Sequence, residues 1–259
     1  MPVTELSRIA QTRRSFIEQT LPQCDSILEI GAFDNPIFRR ELGDPVRYVD
    51  WFSRDELVVM HKDNPRRRPE MIVDIDYLVK SNRLAQHIPH KFDLICASHV
   101  IEHIPDVIRW FNELHMMLND DGMVFLAVPD RRYTFDYFRN ISTASEMVRA
   151  FQERLEIPSK WQLVDNYYYH QKVDLPALWK GVTPAKFQPR FDLGAAVDLA
   201  EKKSRTYTDC HCWVFSGDTF AQLLADLHSA GKCSFEIDRA TDAIPQTNEF
   251  HVMLRKKRS

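Results

Sequence analysis

Glycine is scarce in this 259-residue chain, at 7 residues, well under the usual ~7% of a globular protein, which excludes a long glycine-rich phosphate loop. No apolar run approaches the ~20 residues needed to cross a bilayer, so an integral helical membrane protein is excluded. Neither sign of charge dominates: 34 Lys and Arg stand against 37 Asp and Glu, a net charge of −3. That balance predicts no bulk attraction to nucleic acid or to an anionic membrane. The 5 cysteines are scattered and odd in number, pointing to free thiols in a reducing cytoplasm rather than a disulfide frame. Met1 to Leu21 lacks the apolar stretch of a secretory signal, because Glu5, Arg8, Arg13, Arg14 and Glu18 interrupt it, and it reads as an amphipathic helix. What is present, 44% hydrophobic residues with 27% charged, is the composition of a folded cytoplasmic domain with a large core.

The first half alternates in period. Short apolar runs at Ser26–Gly31, Arg47–Asp50, Met71–Asp74, Phe92–Ala97 and Met123–Val128 read as buried strands. Helical patterns lie between them, the clearest with Val107, Phe111, Leu114 and Leu118 on one face and Asn119-Asp120-Asp121-Gly122 as its closing turn. Repeated alternation of this kind predicts an α/β fold, a mostly parallel sheet with helices on both faces. After Pro129 the rhythm changes: residues 131–206 carry helix-like stretches at Ser142–Leu155, Trp161–Gln171 and Asp192–Lys203, too long a span for an ordinary loop. They read as a helical insertion between the core segments 1–130 and 207–259. A helix at Asp218–Ala230, strands at Ser234–Arg239 and Glu249–Arg255, and a solvated tail at Arg255–Arg258 complete a single domain.

Chemistry gathers at the strand ends. In an open parallel sheet, ligands bind beyond the carboxyl ends of strands where the strand order switches. Gly31 directly after the first strand lets a ligand pass close to the backbone, whereas the later glycines of a pyrophosphate cradle are missing. Asp50 at the end of the second strand can accept both hydroxyls of a ribose. Asp74, at the end of the third, could meet an adenine amino group. His99, Glu102 and His103 share a face if their segment is helical. Such a set could bind a divalent cation, fix the loop by hydrogen bonds, or move protons. In Cys210-His211-Cys212 no second ligand pair is near, so zinc is not favoured. His211 is instead a second candidate base, with Asp209 on the same face of an extended segment. Arg131 and Arg132 follow the fifth strand, where a guanidinium could clamp a carboxylate or phosphate. Tyr168 and His170, within Tyr167–His170, would make an aromatic, hydrogen-bonding wall, and Arg66-Arg67-Arg68 reads as a solvated turn.

Glu29-Ile30-Gly31, Tyr48-Val49-Asp50, Ala97–Asp106 and the turn at Asn119–Gly122 resemble class I S-adenosylmethionine-dependent methyltransferases. Val128–Asp136 and Asp209–Phe215 are similar to a bacterial subgroup associated with polysaccharide biosynthesis. The resemblance implies a Rossmann-like, seven-stranded, mostly parallel sheet with the last strand antiparallel, and the insertion at 131–206 as a lid. It implies that Glu29, Gly31 and the neighbouring Ala32 line the methionine part of S-adenosylmethionine. Asp50 would hold the ribose, Trp51 would stack beside adenine, Asp74 and Ile75 would border the base, and Ser98 would close the site. Ala32-Phe33 depart from the Gly-x-Gly of many members. Loose similarity to ubiquinone-biosynthesis O-methyltransferases implies a cation only as the alternative use of His99, Glu102 and His103. The expected reaction is O-methylation of a hydroxyl on a sugar or glycan-linked intermediate, with S-adenosylhomocysteine as product, His103, His211 or His99 as the base, and Arg131, Arg132, Tyr168 and His170 on the acceptor. Rival expectations are an unrelated O- or N-acceptor, a silent scaffold, or a nicotinamide oxidoreductase, the last disfavoured by the single glycine. The oligomeric state is open.

Overall fold

A computed structural model describes residues 6–184 and 186–256, so the expectations for Met1–Glu5 and for the tail beyond Lys256 lie outside the described residues. The run Ile27-Leu28-Glu29-Ile30 forms β1 (Ile27–Ile30) with every residue buried, the signature of a strand covered on both faces. It pairs in parallel with β2 (Val46–Asp50) on one side and β4 (Phe92–Ser98) on the other. With β3 (Tyr77–Leu78), β5 (Leu118–Pro129), β6 (Phe235–Ala240) and β7 (Glu249–Lys256), the seven-stranded sheet runs β3-β2-β1-β4-β5-β7-β6. Only β7 is reversed, antiparallel to both β5 and β6. The expected Rossmann-like sheet is therefore present, and its order switches between β1 and β4, which opens a crevice beyond their carboxyl ends.

Alternate residues of the central strands serve opposite faces. Ile27, Leu94, Cys96 and Phe125 meet Phe16 and Ile17 of α1 (Arg8–Glu18) in one core. Leu28, Ile95, Val124 and Leu126 meet the larger core under α4 (Val107–Met117) and α9 (Gly217–Ser229). Ser7 caps α1 through Ala10 N–H, and Asp106 caps α4 through Arg109 N–H. The connections between β2 and β4 carry the short helices α2 (Arg54–His61) and α3 (Leu84–His87).

The insertion folds as α5 (Ala144–Glu153), α6 (Lys160–Tyr169), α7 (Leu175–Trp179) and α8 (Leu193–Lys203). Capping boxes Thr143/Glu146 and Ser159/Gln162 set the starts of α5 and α6. Sequence periodicity found three of the four; α7 has a single turn, too short to show a repeat.

Three boundaries differ from expectation. The third strand is Tyr77–Leu78, not Met71–Asp74, because Pro69 opens a 3-10 turn and Val73 N–H braces the loop after β1 at Phe33 O. Pairing with β2 starts only where Asp76 N–H donates to Tyr48 O. Leu118 and the segment 119–122 belong to an irregular start of β5 rather than to a helix and its turn. Arg255 and Lys256 are in β7, not in a tail.

Candidate active site

Two clefts open at the switch point. Gly31 ends β1 at φ +65, and a Cβ there would come within 3.0 Å of Val100 Cγ2, so only glycine fits in both conformation and space. One cleft, of about 590 Å³, runs over the ends of β1, β2 and β3 and is lined by Gly31, Asp50, Trp51, Val79, Ser81 and Tyr207 among others. The other, of about 840 Å³, lies on the β5–β7 side and includes Glu29, Ala32, Ser98, Phe135, Asn166, His170 and His211. Gly31, Phe33, Arg67, His99, His103 and Asp209 belong to both walls. The clefts therefore meet there.

Of the residues expected at the cofactor, Gly31, Asp50 and Trp51 line the first cleft. Asp50 Oδ1 accepts from Phe52 N–H at 3.0 Å, and burial pushes its carboxyl pKa up against the backbone N–H groups that lower it. Trp51 stacks on Tyr207 with ring centroids 4.6 Å apart. Glu29 is 1% exposed and both its oxygens are committed, to Ile37 N–H at 2.8 Å and Phe38 N–H at 3.2 Å. It shapes the loop after β1, and burial lifts its pKa to about 7 despite those bonds. Ala32 and Ser98 face the second cleft.

The shifted third strand overturns Asp74 and Ile75. The Asp74 carboxylate is 86% exposed beside Arg54, Ile75 packs on the α1-side core, and Val79 and Ser81 form the wall instead. Arg131 and Arg132 are also corrected. Arg131 Nη1 donates to Arg139 O at 2.6 Å, and Arg132 is held by Asp130 and Asp242; neither is among the residues lining these two clefts. Tyr168 packs on Tyr169 and Phe187, leaving His170, stacked on Phe135 at 4.2 Å, as the member of that wall that reaches the cleft. Arg67, expected in solvent, lies over Phe33 on both walls.

The histidines converge, and what draws them together is Glu102. The turn after β4 (Ile101–His103) presents its carbonyl to Cys212 N–H at 2.6 Å and Trp213 N–H at 3.2 Å, which docks the segment carrying His211 against it. The Glu102 carboxylate has no exposed surface, and among the described residues no partner stands at close hydrogen-bonding range of either oxygen. Around Oε1 stand His99 Nδ1 at 3.5 Å, His103 Nε2 at 3.7 Å and His211 Nε2 at 3.9 Å. His99 Nε2 also meets Glu249 Oε2 at 2.8 Å, and His103 Nδ1 meets Asp209 Oδ1 at 2.8 Å. Burial alone would lower both histidine pKa values, but the surrounding carboxylates prevail and raise each to about 9. For Glu102 burial opposes ionisation, and the imidazoles nevertheless hold its carboxyl below the usual range. Glu102, His103 and His211 bring donor atoms within 4.8 Å of one another, a spacing open to a divalent cation. His99, in the expected set, turns instead to Glu249.

Nothing in the sequence paired His211 with Asp136, whose Oδ2 is 2.5 Å from Nδ1, or Glu249 with Arg13, which donates to it at 2.9 and 2.6 Å. These are contacts between distant segments.

Folded pKa values near 9 against an ordinary 6.5 mean that His99 and His103 bind protons more tightly in the native state. Their contribution to stability is complete below about pH 6.5 and is lost as pH rises through about 9. The melting temperature should fall between about pH 7 and about pH 9.5, and His103→Gln should flatten that fall. A wild-type melting temperature independent of pH over this window contradicts the charged cluster.

A family model described as Methyltransferase domain matches residues 4–227. No curated protein matches the sequence. Among solved structures the chain is similar to an S-adenosylmethionine-dependent methyltransferase from Clostridium acetobutylicum ATCC 824, at 12% identity, covering 96% of this chain and 92% of that one with TM-score 0.49. It is also similar to the plantazolicin methyltransferase BpumL, crystallised with a desmethyl analogue and SAH, at 12% identity over 99% and 87% of the two chains with TM-score 0.48. A third is the 1,6-didemethyltoxoflavin-N1-methyltransferase of Burkholderia thailandensis, at 12% identity over 97% and 79% with TM-score 0.48. With a family match spanning most of its length, the chain belongs to the methyltransferase-domain family.

Proposed function

We propose that this methyltransferase places a methyl group on a hydroxyl of a sugar or glycan-linked acceptor, and that the two clefts divide the work between donor and acceptor. Their meeting at Gly31, His99 and His103 is the observation that carries the reading. S-adenosylmethionine, the cofactor of the reaction, supplies a methyl group on a sulfonium that is already reactive and is left as S-adenosylhomocysteine. Asp50 accepts the ribose hydroxyls, Trp51 and Tyr207 flank the base against Val79 and Ser81, and Gly31 lets the methionine portion cross toward the second cleft. Asp74 and Ile75 have no part in this reading.

The acceptor side suits a polyhydroxyl ligand. Asn166, Gln246 and Asn248 offer amide donors and acceptors, and the stacked Phe135 and His170 rings give it a flat side. Sugars need such alternating hydrogen bonds on a firm surface. Arg131, Arg132 and Tyr168 are left out of this site. The insertion at 131–206, which supplies Phe135, Asn166 and His170, would act as a lid. Its amide exchange should slow when S-adenosylhomocysteine and an accepted sugar are both bound, and uniform protection with and without them would make it a fixed layer.

Transfer requires one proton to leave the acceptor hydroxyl. His99 and His103, with pKa values near 9, already hold their protons at neutral pH and serve as charge and hydrogen-bond donors. His211 keeps Nε2 free of any hydrogen bond among the described residues and takes the role of base. General-base catalysis contributes about 10²–10⁴-fold. His211→Ala should therefore lose at least ~100-fold in turnover with cofactor affinity nearly intact; turnover near the wild-type rate rejects the assignment.

Asp50 can make two charge-assisted hydrogen bonds to the ribose, each worth about 1.5–3 kcal/mol. Asp50→Ala should weaken S-adenosylhomocysteine binding by at least ~30-fold in calorimetry. Unchanged affinity in the folded variant would place the cofactor elsewhere.

A further inference from the structure

Asp136 closes the motif Val128–Asp136, which the sequence singled out without giving its last residue a task. The residue is 2% exposed. Oδ2 stands 2.5 Å from His211 Nδ1, and Oδ1 accepts from Arg139 Nη1 at 2.8 Å. The same Arg139 nitrogen donates to the backbone carbonyl of His211 at 2.9 Å. One guanidinium therefore fixes both the acid and the main chain of the histidine it touches.

We propose that Asp136 is the positioning residue of His211, holding the imidazole as its Nδ1–H tautomer so that the Nε2 lone pair is free at the acceptor cleft. The inference rests on the reading of His211 as the base. An ionised carboxylate can only accept hydrogen bonds, so the proton between Oδ2 and Nδ1 sits on the histidine. Burial opposes the charge on Asp136, but His211 and Arg139 hold its carboxyl below the usual range. In the neutral ring held this way, Nε2 carries the lone pair.

The surroundings support the same assignment. Facing His211 are Asp136 and Arg139 from the segment after β5, Glu102 and His103 from the turn after β4, His170 from the end of α6, and Asp209 from its own segment. Glu102 Oε1 at 3.9 Å is too far to hydrogen-bond Nε2 but close enough to attract a proton that arrives there. In the transfer, the acceptor oxygen forms its bond to the methyl carbon. The carbon–sulfur bond breaks with its electron pair going to sulfur, and the hydroxyl proton goes to His211 Nε2. The imidazolium so formed lies between two carboxylates, Asp136 at Nδ1 and Glu102 near Nε2.

The arrangement predicts an asymmetric effect of Asp136→Asn. Arg139 donates to Oδ1, so the new amide should keep its oxygen toward Arg139 and turn its NH₂ toward Nδ1. Nδ1 must then accept, and the proton moves to Nε2, where it blocks the base. The test is a long-range proton–nitrogen NMR spectrum of protein labelled with ¹⁵N-histidine, with S-adenosylhomocysteine bound at neutral pH and His211 assigned by its loss in His211→Gln. The wild type should show a protonated Nδ1 and a bare Nε2. Asp136→Asn should invert that pattern and lower kcat at least ~100-fold with acceptor KM little changed; Asp136→Glu should restore the wild-type tautomer. A wild-type His211 that is doubly protonated, or protonated at Nε2 alone, overturns the proposal even if the variant does not fold. So does an Asp136→Asn spectrum identical to wild type. If the tautomers behave as stated while His211→Ala keeps full turnover, Asp136 positions the ring and the base reading is what fails.

Discussion

A buried negative charge ringed by histidines governs this site. Glu102 is fully buried, and removing such a carboxylate from water costs several kcal/mol unless other charges answer it. His99 and His103, with pKa values raised to about 9, supply the answer at 3.5 and 3.7 Å, and His211 stands beside them at 3.9 Å. His211 comes from a segment more than a hundred residues away, and the return from the insertion docks on the turn after β4 at this same residue. The docking is completed by the Glu102 carbonyl and by the Trp213 indole, which donates to Ile104 O at 2.6 Å. One constraint thus closes the wall between the clefts and sets the charge of the histidines in it.

Backbone strain is concentrated at the same place. Phe33 at φ +50 and His99 at φ +54 are non-glycine residues in the left-handed region, on either side of Gly31 in the clefts. Such conformations persist only where surrounding contacts overdetermine them. His99 is held by Glu249, itself clamped by Arg13 of α1 and by His251 at 2.8 Å. The amino-terminal helix is therefore part of the floor of the second cleft. On the other side, Tyr207 donates to Asp209 at 3.2 Å and stacks on Trp51, so the return segment from the insertion touches both the base of the cofactor cleft and the His103 ion pair.

The sheet was legible because its signals are local. β1, β4 and β5 are apolar runs buried on both faces, and Gly31 and Asp50 stand at strand ends, where the order of strands makes position meaningful. The third strand was misplaced because Met71–Asp74 has a strand-like composition while its hydrogen bonds go to the loop after β1. Two residues of actual pairing leave no periodic trace. That error carried Asp74 and Ile75 with it and hid Val79 and Ser81. Arg131 and Arg132 stood at the right end of the right strand, but their guanidinium groups were taken by Arg139 O, Asp130 and Asp242. The spacing of His99, Glu102 and His103 suggests a shared helical face, but His99 sits at φ +54 outside the 3-10 turn Ile101–His103, so it is the folded turn and not a helix that gathers the two histidines around Glu102. Their meeting with His211, Asp136 and Glu249 could not be read from spacing, because it depends on how distant segments fold back.

The central claim is that donor and acceptor approach one another across Gly31, beneath the histidines that surround Glu102. A crystal structure with S-adenosylhomocysteine tests it most directly. The account predicts adenosine along Asp50 and Trp51, with the homocysteine sulfur at the junction of the clefts and facing His211 Nε2 across open space. S-adenosylhomocysteine lying wholly within the second cleft, or with its sulfur turned away from the histidines, would contradict it.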